Sequence, residues 1–398
     1  MDITKLEADF RIVTPLFMGG ADPTVPELRV PGIKGVLRFW WRALAYGKNS
    51  GDLEKIKELE GQIFGSTKHG QSRVIMEVSQ NEQEPNDDQF FRGFNGLAYL
   101  GYGPIDRGVL IRNYLKPPID ATLNIHIITN EKDDKGLGNS EIAENISFAL
   151  ITMGLFGGLG SRSRRGFGSF NILDLKRDGN CIFEQPGSLD DLKKQIWELF
   201  KKTKRYRYEG IPKYTAFSSE TSVYAFNDVD DNPYKLLDSV GQSMQKYRIG
   251  IRDRRGLVKR NFPQDTQLAK DALNSKVLQH PKRIFFGLPH NYHFPKLAGF
   301  PNGASLDVKP KKHNRRASPL FIHIQELRDR NYAAVATLMP AIFLPDGEII
   351  LMKRQKKEGE SSQEPTASEV RVDARGSSLN VIRDFMDSDS KWEQVIPA

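Results

Sequence analysis

Residues 6–13 alternate. Leu6, Ala8, Phe10 and Ile12 share one side of the chain, the two-residue period of a half-buried strand. From Pro31 to Gly47 the period lengthens. Ile33, Leu37, Trp40 and Leu44 form an apolar stripe, and Pro31 suits the first turn of a helix. Arg73 to Val78 and Ala121 to Thr129 return to the strand pattern, the latter with Leu123, Ile125 and Ile127 facing one way. A second helix is predicted from about Glu141 to Leu155, capped by Asn139 or Ser140, with Ile142, Ile146, Ala149, Leu150 and Met153 as its buried face. After a loop rich in glycine and arginine, Phe167 to Leu175 reads as a fourth strand at the sheet edge. This order, β-α-β-β-α-β, is the ferredoxin-like, or RRM-like, arrangement. A long insertion, Ser79 to Asp120, separates the middle strands, acidic at its start and aromatic at its end. Phe90, Phe91, Phe94, Tyr99 and Tyr102 predict that its second part is ordered, because such rings are costly to leave in water.

Beyond residue 178 the pattern predicts amphipathic helices at Leu189 to Lys202, at Pro233 to Tyr247 with Asn232 as N-cap, and at Thr266 to Gln279. Strands are expected at Tyr214 to Phe226, Arg283 to Leu288, Leu320 to Ile324 and Ala333 to Leu344. The polar stretch Lys353 to Glu369 reads as an exposed loop before a last helix near Leu379 to Met386. The predicted fold class is α+β, with two ferredoxin-like domains. The first, residues 1–178, carries the insertion at about 79–120 and a glycine-rich loop at 157–168; the second, residues 179–398, is decorated with extra helices. A length of 398 residues suits two such domains better than one core.

Composition narrows the classes. A chain that is 38% hydrophobic and 27% charged is globular rather than fibrous or disordered. Its one cysteine, Cys181, can form neither an internal disulfide nor a cysteine-rich metal site, which favours a reducing, cytoplasmic setting. Met1 to Phe10 is charged and alternating, without the apolar region of a secretory signal. The most apolar run, Ile146 to Gly160, is shorter than the ~20 residues of a membrane span, so no membrane partner is expected. The net charge of +8 is uneven: residues 1–178 hold 22 basic and 23 acidic residues, residues 179–398 hold 36 and 27. Three basic runs, Lys201 to Tyr208, Lys246 to Arg260 and Lys309 to Arg316, lie in the second half, and two are interleaved with tyrosine. They point to a polyanion, nucleic acid first and an acidic protein surface second, with Arg252, Arg254 and Arg255 as contacts.

The most informative segment is Gly154 to Phe170, which sets Gly157, Gly158, Gly160, Gly166 and Gly168 around Arg162, Arg164 and Arg165. Glycines let a backbone approach a ligand and present its N–H groups, while arginines offer paired donors to phosphate. Gly158, Gly160, Ser161 and Ser163 are the expected backbone and hydroxyl contacts beside those arginines. The segment follows a helix and precedes a strand, the reverse of dinucleotide and P-loop motifs. The alternative is a long turn whose glycines only relieve crowding. Arg165 to Phe170 partly matches an RRM base-stacking strand, but Ser169 replaces an aromatic residue, so stacking in that manner is discounted. A second candidate is the stripe Lys34, Arg38 and Arg42, recurring every four residues on the first helix. His290 and His293 lack a further ligand at metal-binding spacing, and no metal or other cofactor is expected. No paired-carboxylate or Ser-His-Asp signature marks a catalytic site. His69, in a Gly/Ser/Lys loop, is the one histidine placed to act as a general acid or base on RNA.

Thr14 to Leu44, Ile63 to Ser66 and Leu97 to Pro104 resemble the RAMP superfamily, and within it the family of the first-numbered subunit of the Cmr complex, the type III-B CRISPR effector. The loop at Gly157 to Gly168 is similar in kind and position to the superfamily's hallmark loop. Arg283 to Pro289 and Arg315 to Ile324 extend the resemblance, which runs in patches from about residue 10 to 345; Val30 to Leu44 is its most specific block. The resemblance implies a non-catalytic RNA-binding subunit in antiviral defence, with guide RNA, target RNA and other RAMP subunits of the complex as partners. Carried onto this chain, it implies RNA contacts at Lys34, Arg38 and Arg42 and at Arg162, Arg164 and Arg165. Trp40 is expected to pack inside and Trp41 to stack on a base. Two other classes stay open: a metal-independent ribonuclease that processes guide RNA, and a scaffold whose basic surface meets acidic neighbours.

Overall fold

The fold is that of a computed structural model, which describes residues 2–22, 24–80, 85–86, 91–106, 108–129, 137–203, 207–252, 258–295, 300, 303–355, 367–372 and 379–397. The opening alternation builds a long strand, β1 (Asp2–Ile12), whose Leu6, Ala8, Phe10 and Ile12 are buried. There follow α1 (Val30–Lys48), α2 (Leu53–Phe64), β2 (Val74–Gln80), α3 (Asn95–Leu100), β3 (Ile119–Thr129), α4 (Asn139–Phe156), β4 (Phe170–Arg177) and β5 (Asn180–Glu184). The sheet runs β2-β3-β1-β4-β5, antiparallel throughout. Its first four strands have the ferredoxin-like order, and Leu6 stands opposite Ile125 in the central pair. Because β5 pairs beyond β4, the fourth strand is not an edge, contrary to the expectation.

Sequence periodicity places α1, with Pro in its first turn, and α4 within a few residues. It passed over α2, whose signal is a capping aspartate, Asp52, accepting from the Lys55 amide, followed by Ile56 and Ile63 on the buried side. The consequence is large. With α2 in place α1 is covered on a second side, and Trp41 as well as Trp40 is buried. The two rings serve different contacts: Trp40 packs among Phe156, Phe217 and Phe321, while Trp41 meets Phe64 of α2 edge-on at 5.9 Å.

The rest of the chain forms α5 (Leu189–Lys202), β6 (Ser222–Phe226), α6 (Pro233–Ile249), α7 (Pro263–Asn274), β7 (His290–Phe294), β8 (Ala304–Pro310), β9 (Leu320–Glu326), β10 (Tyr332–Leu338), β11 (Ile350–Arg354), β12 (Ala367–Val370), α8 (Asn380–Asp387) and β13 (Trp392–Ile396). A second sheet runs β9-β10-β6-β13, the same strand order counted along the chain from β6. Asn232 accepts from the Tyr234 and Lys235 amides, the N-cap expected for α6. The decoration is more than helices: a third, four-stranded sheet runs β7-β8-β11-β12. The strand expected at Arg283 to Leu288 is instead a tight 3-10 turn, Lys282–Phe286. Its consecutive buried Ile284, Phe285 and Phe286 form an apolar run with no period to read. The strand expected to reach Leu344 stops at Leu338, before Pro340.

The chain forms two compact units. One comprises Met1–Ser243, Phe321–Met339 and Ser390–Ala398; the other comprises Met244–Leu320 and Pro340–Asp389. In the first unit, Asn171 of β4 joins the first sheet to the second: its side chain donates to the Ile324 carbonyl at 3.0 Å and accepts from the Glu326 amide at 2.7 Å. The insertion is anchored in the same unit. Asp238 of α6 accepts from the Gly96 and Leu97 amides at the start of α3. Phe91, Tyr114, Phe17 and Phe167 then make a chain of ring contacts 5.6–5.7 Å apart. The expected order holds for the buried Phe91 and half-buried Phe94 and Tyr99; Phe90 lies outside the described residues, and Tyr102 is 63% exposed. In the second unit, Leu306, Val308, Ile350 and Met352 supply the core face of the sheet, and the buried Asp265 of α7 accepts from the Lys282 and Arg283 amides.

Candidate nucleic-acid interface

The basic stripe on α1 exists, but α2 lies along it. Arg38 and Arg42 both reach Glu60 Oε1, at 2.7 Å, so two guanidiniums share one carboxylate. Arg38 also lies over the Phe64 ring at 5.6 Å. Lys34 Nζ donates to Ser72 Oγ at 2.8 Å and to the Val74 carbonyl at 3.2 Å. Burial, and then the neighbouring Arg38, lower its pKa from the usual lysine value. The side chains predicted to face phosphate are thus engaged with the protein. Trp41, predicted to stack on a base, is 4% exposed and meets Phe64 edge-on, so it packs in the core instead. The reason is one the first helix could not reveal: its second face is covered by a helix whose sequence begins after its end.

The glycine-rich loop is a knot of chain-to-chain contacts. The Leu159 amide donates to the Gly168 carbonyl, Ser161 to Phe17, Gly168 to Pro15, and the Thr14 hydroxyl to Gly166, all within 3.0 Å. The glycines are required by this closeness. Gly160 has φ 76°, and a Cβ there would stand 2.6 Å from the Phe17 carbonyl oxygen; at Gly158 it would stand 2.9 Å from those of Phe167 and Gly168. Gly158 is itself buried, so the close approach expected of a ligand is made by the protein's own backbone.

The three arginines separate. Arg164 is half-buried with its guanidinium over Phe321 at 4.4 Å and Phe39 at 5.4 Å, and its carbonyl accepts from the Ile322 amide. Its role is packing between the sheets. Arg165 is half-buried and pairs through its backbone with Ile322. Arg162 is exposed, at φ 63°, and its guanidinium covers Gly103 of the insertion, where a Cβ would stand 2.9 Å from Nη2. Arg112 of the insertion donates to Ser161 Oγ at 3.2 Å. Ser163, like Ser161, is half-buried. The fold therefore brings together Ser161, Arg162 and, unforeseen, Gly103 and Arg112. Gly103 has a faint signal in the sequence, the Leu97 to Pro104 block; Arg112 has none, and only the folded insertion sets both on the loop.

Other candidates fall elsewhere. Arg254 and Arg255 lie outside the described residues, and Arg252 is described only as backbone of a two-residue strand. In the second unit Lys311, Lys312 and Arg315 are exposed, with Lys311 paired to Glu369 at 2.5 Å. His290 Nδ1 lies 3.3 Å from Arg248 Nη2, and loss of water contact, with the charges of Arg248 and Arg283, lowers its pKa well below the usual histidine value. His293 instead meets Ser305, so the pair does not converge on one point. His69 Nε2 lies 3.0 Å from Glu58, which also takes Lys68. Among the described residues, no group of three or more His, Cys, Asp or Glu is placed to hold a metal ion, and no helix is long and apolar enough to cross a membrane.

The sheet order and the loop at the α4–β4 junction define a class. The sequence signature of the RAMP superfamily matches residues 9–171. The chain is 31% identical over 186 residues to CRISPR system Cmr subunit Cmr1-2 of Pyrococcus furiosus, covering 42% of this chain and 95% of that protein. It is 25% identical over 338 residues to subunit Cmr1-1 of the same organism, covering 81% and 83%. The chain belongs to the RAMP superfamily, in the family of the first-numbered Cmr subunit. Among solved structures, the apo form of Cmr1 from Pyrococcus furiosus superposes with a TM-score of 0.58 at 22% identity, over 100% of this chain and 99% of that one. A chain of the Type III-B Cmr-beta assembly bound to cognate target RNA gives 0.52 at 14% identity, over 86% and 97%. These two likenesses establish a shared fold.

Proposed function

We propose that this chain is a non-catalytic, RNA-binding subunit of a cytoplasmic type III-B Cmr ribonucleoprotein, holding guide or target RNA by its phosphates at the Arg162 face of the first unit. The observation that carries the reading is Arg162 itself. A non-glycine residue rarely adopts a left-handed backbone, and such a conformation persists where its surroundings impose it, often at binding sites. Here it holds the exposed Arg162 with its guanidinium over Gly103, next in sequence to Ser161, whose hydroxyl accepts from Arg112. Arginine donors suit phosphate oxygens and read no sequence, which leaves sequence choice to guide–target pairing. The names of the Pyrococcus relatives, Cmr subunits both, and the RNA-bound Cmr-beta assembly support the same reading. The other RAMP subunits of such a complex are its protein partners. Two domains, residues 1–178 and 179–398, belong to this reading too, supported by two sheets of one strand order. The stripe on α1 enters it in a lesser role, because Glu60, Ser72 and Val74 already engage its side chains.

The test is salt dependence. Each phosphate contact contributes about 0.7 to the slope of log K against log salt on single strands. Anisotropy titrations of labelled single-stranded RNA should show the double variant Arg112→Ala/Arg162→Ala binding more weakly, with a shallower slope, for every sequence tried. Unchanged affinity and slope would remove the assignment.

A further inference from the structure

We propose that Tyr102 is a base-stacking contact for single-stranded RNA beside the phosphate contact of Arg162; this rests on the RNA-binding reading above. Tyr102 is 63% exposed, on the short link from α3 to the hairpin Ile105–Asp106/Val109–Leu110. Val109 (47%) and Ile111 (65%) are exposed on the same structure. The ring stands on a firm base. A Cβ at Gly101 would lie 2.6 Å from Ile105 and 2.9 Å from the buried Phe167 of the glycine-rich loop, so the backbone there rests directly on the loop's core. Tyr102 bridges to Ile105, and the Gly103 amide donates to the Ile105 carbonyl at 3.2 Å.

The next residue, Gly103 at φ 118°, is the one Arg162 covers, and Arg112, next to Ile111, reaches Ser161. An exposed tyrosine is therefore carried on a held backbone, next in sequence to the glycine that Arg162 covers. Exposed apolar side chains beside Arg162 and Arg112 fit bases joined by phosphates. What favours RNA is the adjoining phosphate contact: a strand held at Arg162 brings its neighbouring bases within reach of an exposed aromatic residue. The base faces of a duplex are stacked away, so the strand bound is single.

The full chain titrated with single-stranded RNA containing 2-aminopurine tests this. Tyr102→Ala is expected to weaken binding about tenfold and abolish quenching of the probe, at an unchanged salt slope, because the ring carries no charge. Tyr102→Phe, which keeps the ring, should behave as the parent. Parent-like affinity and quenching in Tyr102→Ala overturn the inference, and a shallower slope in Arg162→Ala would then leave the RNA-binding reading standing. Retained RNA binding with lost capture of partner subunits overturns it equally, in favour of a protein contact. A parent chain that binds no RNA removes both readings. Should the alanine variant melt early, crosslinking of 5-iodouridine RNA to the parent chain decides: a crosslinked peptide with Tyr102 supports stacking, and its absence from the crosslinked peptides refutes it.

Discussion

Arg162 and Arg164 are two residues apart, share chemistry and differ in surroundings. One guanidinium is exposed over a glycine; the other lies on two phenylalanine rings. Substitution should separate them. Arg162→Ala should lower RNA affinity and flatten its salt dependence. Arg164→Ala should cost about 1–2 kcal/mol of stability through lost ring contact. Melts and RNA titrations on both variants check this. The stripe on α1 makes the complementary case. Arg38→Ala breaks one of two pairs to Glu60, partly exposed on the arginine side, and should destabilise by about 1 kcal/mol or less. Its RNA affinity should fall less than that of Arg162→Ala, since the Arg38 guanidinium is already engaged by Glu60.

Elements meet at positions where a single methyl group has opposite effects. Gly35 lies on the exposed side of α1 with nothing within 4 Å of the place a Cβ would take. Gly35→Ala should stabilise by about 0.5–1 kcal/mol, by limiting the unfolded chain and favouring the helix. Gly241 of α6 faces the insertion so closely that a Cβ would stand 2.1 Å from the Gly96 carbonyl oxygen. Gly241→Ala forces backbone away from backbone and should destabilise by about 2–3 kcal/mol, loosening α3 from Asp238. Urea unfolding of the two variants beside the parent gives both signs. If Gly241→Ala also weakens RNA binding, the reason is structural: the insertion carries Arg112 and Tyr102.

At the scale of the whole molecule, His323 ties stability to acidity. It is wholly buried between the sheets, with Nδ1 2.7 Å from the Gly157 carbonyl, and burial lowers its pKa from 6.5 to about 4. The depressed value fixes the sign. Above pH 6.5 folded and unfolded forms are both neutral and the contribution is complete; between 6.5 and about 4 only the unfolded chain takes up the proton, so stability falls as pH falls. The loss amounts to roughly 3 kcal/mol at most. Urea midpoints across that range should drop further for the parent than for His323→Gln. Sequence alone determined the first four strands of the first sheet and the helices α1, α4, α5 and α6, because their periods repeat within each segment and report which side is buried. It also marked the glycine-rich loop. The third sheet, the tight turn at Lys282–Phe286 and the division of labour among the basic residues were decided only by tertiary structure. Whether a cation meets solvent, a carboxylate or a ring depends on partners such as Glu60 and Phe321, which chain folding alone brings to it.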